Sequence, residues 1–303
     1  MSRHDTKESV GMSRREAAFT IASAGGLAAL LMPGVGLPAQ RVAGTAPSHG
    51  LPIEDPAFNV KTLGRLQGDL SGKTVFSYSQ GQVFGLVPGD GPPLADYGRL
   101  LFRVEACAVR VSRLRADGAL EERSRSWMFY RDPGNGTYLD DFRNPYTGEA
   151  VPVPTFRGGV TGGVTTVNGP EVRASFPMES TIFGQPTLLD WQFIGDHVWI
   201  SRHAFTRWKE GATGYHKTEM TLDSWICRAG DVVDAKLTTI PGAHSWISQT
   251  EWQSWLKMRG RPGAMIWRID GAKLDSMREL PEAFVARSEK LLPGKLSEPL
   301  SWL

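Results

Sequence analysis

Five titratable side chains stand where proton-transfer chemistry is chemically reasonable: Glu105, Asp132, His203, Glu219 and His244. Each has aromatic or apolar neighbours in sequence. Desolvation there moves a carboxylic acid's pKa up and an imidazole's down, both towards neutrality. Glu105 has Arg103 two residues away, so a structural ion pair competes with a proton-transfer role. Lys217, Glu219, Thr221, Asp223 and Trp225 alternate with Met220, Leu222, Ser224 and Ile226, giving one polar and one largely apolar strand face. The ordinary meaning of that pattern is a solvated outer face. On the inside of a barrel it would instead line the lumen and make Glu219 or Asp223 an acid–base candidate. His244-Ser245-Trp246 and Trp252-x-x-Trp255 bring imidazole and indoles together, which suits an aromatic ligand and equally a helix packed on a barrel end. Candidate ligand contacts are Tyr130, Asn144, Tyr146, Trp191, Trp225 and Trp246.

Other chemistries have little support. His197 and His203 share a strand face but lie about 20 Å apart at roughly 3.3 Å per residue, too far to share a metal, and no metal site is expected. No Gly-x-Ser-x-Gly elbow or His-Glu-x-x-His occurs. The 2 cysteines, Cys107 and Cys227, cannot build a cysteine-based zinc or iron–sulfur site and are expected to be free thiols, and no cofactor is expected. A net charge of +2 with scattered basic residues excludes the footprint of a nucleic-acid binder.

The elements that must position these groups centre on 130–153. Asp132-Pro133-Gly134-Asn135-Gly136 and Asn144-Pro145-Tyr146-Thr147-Gly148 are turn sequences, with proline presetting φ and glycine accepting positive φ. Such corners either present Asp132, Asn144 and the tyrosines to a ligand or simply fasten the fold. Ahead of them, a short helix is expected within 55–70, a hairpin about Gln80-Gly81, and long strands over 100–114 and 120–130. Gly158-Gly159-Val160-Thr161-Gly162-Gly163 is expected to be a loop. Strands follow over 171–177, 187–194, 197–208, 217–227, 235–248 and 263–269, and helices over 250–258 and 280–291. Adjacent antiparallel strands with few helices predict a mainly β fold: a large curled antiparallel sheet or closed, calycin-like barrel with C-terminal helices, in one domain over 54–303.

The N-terminal stretch has another purpose. Arg14-Arg15 precede an apolar, small-residue segment that ends near Pro33-Gly34, and Leu37-Pro38-Ala39 offers a cleavage site. That order reads as a twin-arginine-like export signal over 1–39, followed by a linker over 40–53. It predicts a periplasmic or secreted protein whose partner is the twin-arginine export machinery. The apolar run is too short and glycine-broken for a stable membrane span.

Asp132-Pro133, Asn144-Pro145-x-Thr147-Gly148-x-x-Val151-x-Val153, Trp255-Leu256-x-Met258, Pro262-Gly263, Gly271-x-Lys273-Leu274 and Glu279-Leu280-Pro281 together resemble the bacterial domain-of-unknown-function family DUF1838. The resemblance runs from about Leu51 to the C-terminus, with Phe142 where the family often has tryptophan. It implies a shared fold and supports export, but it supplies no catalytic residues. The expected function is binding of a small apolar or aromatic molecule, with cofactor-free acid–base chemistry of an isomerase, lyase or hydratase. The alternatives are a non-catalytic periplasmic binding or interaction module and a carbohydrate-active protein.

Overall fold

A computed structural model describes residues 50–88, 97–154, 160–174, 179–180, 188–209 and 216–300. The expected export signal and residues 40–49 of the linker lie outside them. Two runs of hairpin-connected strands meet at one seam. The first contains β1 (Val75–Leu86), β2 (Tyr97–Leu114), β3 (Leu120–Arg131), β6 (Val160–Thr166) and β7 (Gly169–Ala174), with the small hairpin of β4 (Asp141–Arg143) and β5 (Ala150–Pro152) between β3 and β6. The second contains β8 (Glu179–Ser180), β9 (Asp190–Ile194), β10 (His197–Lys209), β11 (His216–Arg228), β12 (Ala243–Thr250) and β13 (Ala264–Leu274). The seam pairs β1 with β13, giving an 11-stranded antiparallel sheet ordered β7-β6-β3-β2-β1-β13-β12-β11-β10-β8, with β9 also on β10.

The fold is mainly β, as expected, but the strand path has two ends. Among the described residues β7 is not paired with β8, β9 or β10, so the expected barrel closure is absent. The ends are blunted differently: β8 is only 2 residues long, and Pro170 in β7 lacks a donor.

One face of the sheet, here called inner, is covered from both ends. Helix α1 (Pro56–Gln67) starts at Asp55, whose carboxylate accepts from the Ala57 amide at 3.0 Å, with Pro56 preset at the first helical position. Its Val60, Leu63 and Leu66 cluster with Val198, Ile200 and Trp225 of the second run and with Leu120 of β3. Asn59 ties the helix down: its amide donates to the Ile53 and Asp55 carbonyls, and its oxygen accepts from the Leu189 amide and the Trp191 indole. The far end of the inner face is filled by Phe102 and Tyr130, packed edge-on, with Phe142 and Trp255 against them. On the outer face α3 (Glu282–Leu291) inserts Phe284 against Tyr78 and Phe129, and the Trp127 indole donates to Ser288 at 2.9 Å.

Several local expectations change. Gln80-Gly81 is not a turn but the middle of β1, where glycine serves close approach: a Cβ on Gly81 would stand 2.3 Å from the Arg268 carbonyl oxygen. Gly162 and Gly163 lie within β6, where the Arg123 stem occupies the space a Gly162 Cβ would need; Gly158 and Gly159 fall outside the described residues. The helix expected over 250–258 is only a 3₁₀ turn, Ser254–Leu256, stopped by Lys257 at φ 53°. Both Trp252 and Trp255 are buried, Trp252 ahead of the turn and Trp255 within it. The strand expected over 235–248 begins only at Ala243, after the unexpected short helix α2 (Ala229–Val233). Cys107 and Cys227 are free and buried, as expected.

The corner stretch is fastened by its own side-chain hydrogen bonds. Asp132 accepts from the Gly134 and Asn135 amides at 2.8 and 2.9 Å. Asn144 is buried, donates to the Leu256 carbonyl at 2.8 Å and accepts from the Tyr146 amide at 2.9 Å. Asn144→Ala therefore leaves a buried carbonyl and amide unpaired, and chemical denaturation should show a loss of about 1–3 kcal/mol.

Candidate functional site

Alternation determines which side chains share the inner face. Cross-strand register places Trp225, His244, Gly271, Ser79, Ala106 and Met128 in one row across β11, β12, β13, β1, β2 and β3. The next row along the strands holds Arg202, Asp223, Trp246, Ile269 and Gly81. On the other side of the central row come Lys273, Ser77 and Ala108. Bulky residues thus stand at the sides while the seam carries glycine, serine and alanine. The result is a cavity of about 70 Å³. A single water needs only about 10–15 Å³, so several waters or a small organic molecule fit.

This face reverses the ordinary meaning of the β11 pattern. Glu219, Thr221, Asp223 and Trp225 are buried, whereas Met220 on the supposedly inward apolar face is 48% exposed. Trp199 and Ile247 on the same outer face are 44% and 42% exposed.

A charged chain runs along the buried rows. Arg202 Nη2 donates to Asp223 Oδ2 at 2.6 Å, and His244 Nε2 lies 3.4 Å from Asp223 Oδ1. Burial alone would raise the Asp223 pKa, but the Arg202 charge and the His244 contact outweigh it and hold the group down to about 2. The His244 ring stacks on Trp225 with centroids 5.2 Å apart and keeps a third of its side chain accessible. Glu219 has no ion pair among the described residues. Burial pushes it up to about 7, against the opposing hydrogen bonds from Ser248, at 2.5 Å, and Thr221. At the other side Lys273 donates to the carbonyls of Arg65 and Gly68 and to the Thr239 hydroxyl, which caps the C-terminal end of α1. Arg110 reinforces that cap through the Gln67 carbonyl at 3.0 Å.

The sequence candidates scatter accordingly. His244, Trp225 and Trp246 line the cavity together, and Glu219 lies on the same buried face outside its lining. Glu105 is on the outer face. It accepts from Tyr78, Tyr138, Gln80 and Arg131 at 2.8–3.1 Å, a saturated latch between β2, β1 and the 132–139 corner. Burial, followed by Glu105, pushes Tyr138 up to about 12. His203 is exposed on the outer face, 3.6 Å from Asp190. Asp132 and Asn144 are turn residues, Tyr146 packs on Trp252, Tyr130 is in the aromatic end cluster, and Trp191 is tied to Asn59. Arg202 carries no sequence signal of a site role, and Gly271 and Lys273 stand in the sequence only as part of the family motif Gly271-x-Lys273-Leu274. Period-two reading of β13 from Trp267 through Ile269 would have put Gly271 and Lys273 on the cavity side. Among the described residues no group of three or more His, Cys, Asp or Glu side chains is arranged to hold a metal ion.

Fold and site together define an open antiparallel β-sheet protein with a partly polar cavity over its central seam. The family model described as "Protein of unknown function (DUF1838)" matches residues 72–299, and the chain belongs to that family. Comparison with curated proteins finds no match.

Glu219 supplies a test of this electrostatic picture. Unfolded, its carboxyl ionises near its ordinary 4.5; folded, it holds its proton to about 7. The unfolded state therefore releases the proton first, and folding stability falls as pH rises from about 4.5 to 7, by about 3 kcal/mol. In Glu219→Gln that decline should disappear, so chemical denaturation at pH 5 and pH 8 should give closer stabilities than in the unmodified protein.

Proposed function

We propose that the cavity over the β1–β13 seam binds a small molecule with an apolar or aromatic body and that His244, supported by Asp223, exchanges a proton with it. The observation that carries this reading is His244 itself. Its ring is sandwiched in position by Trp225 and the Asp223 carboxylate, and it faces a floor that Gly271 leaves without a side chain. An ionised carboxylate beside an imidazole fixes the orientation of the ring. Trp225 and Trp246 supply flat apolar walls. The chemistry within reach of such a site is isomerisation, hydration or elimination without a bound cofactor. A sugar-cleaving pair would set two acids across a groove. Glu219 and Asp223 instead lie on one strand, with Asp223 neutralised by Arg202, which favours the small-molecule reading.

Screening the purified chain against small aromatic and aliphatic compounds by thermal shift should identify stabilising ligands. Trp225→Ala should abolish their effect. For any compound turned over, His244→Gln and Asp223→Asn should lower kcat by about 10²–10⁴. Ligands that stabilise the Trp225→Ala protein as well as the unmodified one would remove this cavity from consideration.

The same proposal places the protein outside the cytoplasm, delivered by the twin-arginine route, on the strength of Arg14-Arg15 and the apolar segment after them. Replacing both arginines with lysine should leave unprocessed precursor in the cell. Normal processing of that double variant, followed by immunoblot, would contradict the route.

A further inference from the structure

The cavity is lined at one end by a cation, Lys273, which among the described residues has no carboxylate in direct contact. The three partners of Lys273 Nζ among the described residues are the Arg65 carbonyl at 2.6 Å, the Gly68 carbonyl at 3.3 Å and the Thr239 hydroxyl at 2.6 Å; none is a carboxylate. Asp69 is the nearby acid that favours its charge, and the neighbouring cations oppose it. Arg65 spends its guanidinium on the carbonyls of Asp231, Val232 and Asp234, and Arg110 is itself a cation with Glu122 3.9 Å away. Two of the Lys273 contacts are short and the third, to the Gly68 carbonyl at 3.3 Å, is long, so one N–H of the ammonium is free to turn towards a ligand.

We infer that the ligand of this cavity is a small monoanion, a carboxylate on a planar apolar body, whose charge is met by Lys273 while its body lies over Gly271 between His244 and Ser79. This deepens the proposed binding function and rests on it. The geometry follows from the rows. Lys273 is two residues along β13 from Gly271, on the same face, so its row lies about 7 Å from the row of His244. That is the distance between a carboxylate and the far side of an attached small ring or short chain. The floor between them is Gly271, Ser79, Ser77, Ala106 and Ala108, small enough to leave room for the body. The Asp223 side of the cavity repels a carboxylate less than its charge suggests, because Arg202 is paired with it. An anion is therefore drawn to the Lys273 end, which orients the ligand with its opposite end at His244.

The charge at that end responds to what binds. Burial, followed by the Arg110 charge, brings Lys273 down to about 7, with Asp69 and Cys227 pulling it up and Arg65 pulling it down. An arriving carboxylate favours the ammonium, so binding an anion takes up a proton wherever Lys273 is partly neutral. A neutral ligand of the same shape has no such coupling.

The probes for the test are benzoate and its neutral isostere benzamide, titrated into the full chain with tryptophan fluorescence as the signal. Benzoate should bind about tenfold or more tightly than benzamide, the tenfold corresponding to about 1.4 kcal/mol. Lys273→Gln should remove that preference by weakening benzoate and sparing benzamide, whereas Lys273→Arg should keep it. Equal affinity of the two probes for the unmodified protein overturns the anion inference while leaving the cavity as a ligand site. The comparison needs no variant, so it holds even where loss of the α1 cap destabilises Lys273→Gln. Persistence of the benzoate preference in a folded Lys273→Gln protein also overturns the inference. Failure of benzoate, benzamide and indole alike to bind overturns the small-molecule reading and this inference with it.

Discussion

At two points of the β1–β13 seam one strand's backbone leaves no room for a side chain on the other. A Cβ on Gly81 would meet the Arg268 carbonyl oxygen at 2.3 Å, and one on Gly271 would meet the Tyr78 carbonyl oxygen at the same distance. Each strand therefore gives up a side chain where the other's backbone presses in. The seam joins the first and last strands of the sheet, so the two runs of hairpins become one sheet only through this contact. The same omission of side chains makes the cavity floor. Fold and site thus share one cause, and a substitution at Gly271 disturbs both at once.

The inner face is unusual for its polarity. Arg110, Ser112, Glu122, Ser124, Glu219, Thr221, Asp223 and Ser248 are all buried there. Burying such groups costs free energy unless partners are supplied, and an isolated ion costs far more than a paired one. The chain meets that requirement in three ways. Asp223 is kept ionised by Arg202, Glu219 is hydrogen-bonded by Ser248 while burial raises its pKa to about 7, and Lys273 donates to the carbonyls at the end of α1. Polar side chains thereby occupy a face that aliphatic residues would pack more cheaply. The outer half-sheet over β10–β12, by contrast, leaves Trp199, Met220 and Ile247 open to solvent.

Much of the architecture was legible in the sequence because it rests on local rules. Alternation found β2, β3, β10 and β11, and the proline-initiated corners fell where Asp132 and Asn144 make their turns. Three features were not legible for a shared reason: they depend on which remote strand lies alongside. Gly81 looked like a turn because a glycine needed for cross-strand approach has the same local signature as one needed for positive φ. The sidedness of β11 was ambiguous because alternation states that two faces differ and not which is covered. Closure was expected from many adjacent strands, yet α1 and the aromatic end cluster cover the inner face without it. At the site, His244, Trp225 and Trp246 were visible as residue types, while Arg202, Gly271 and Lys273 acquire meaning only from register.

Cys107 belongs to the outer face of β2 and Cys227 to the inner face of β11, and burial pushes their thiols up to about 12 and 11. Thiols this reluctant to ionise are poor nucleophiles for disulfide exchange and slow targets for oxidants. No covalent crosslink is asked of the native state, and none is readily formed by accident. In the folded chain burial thereby withdraws both thiols from ready exchange with small disulfides.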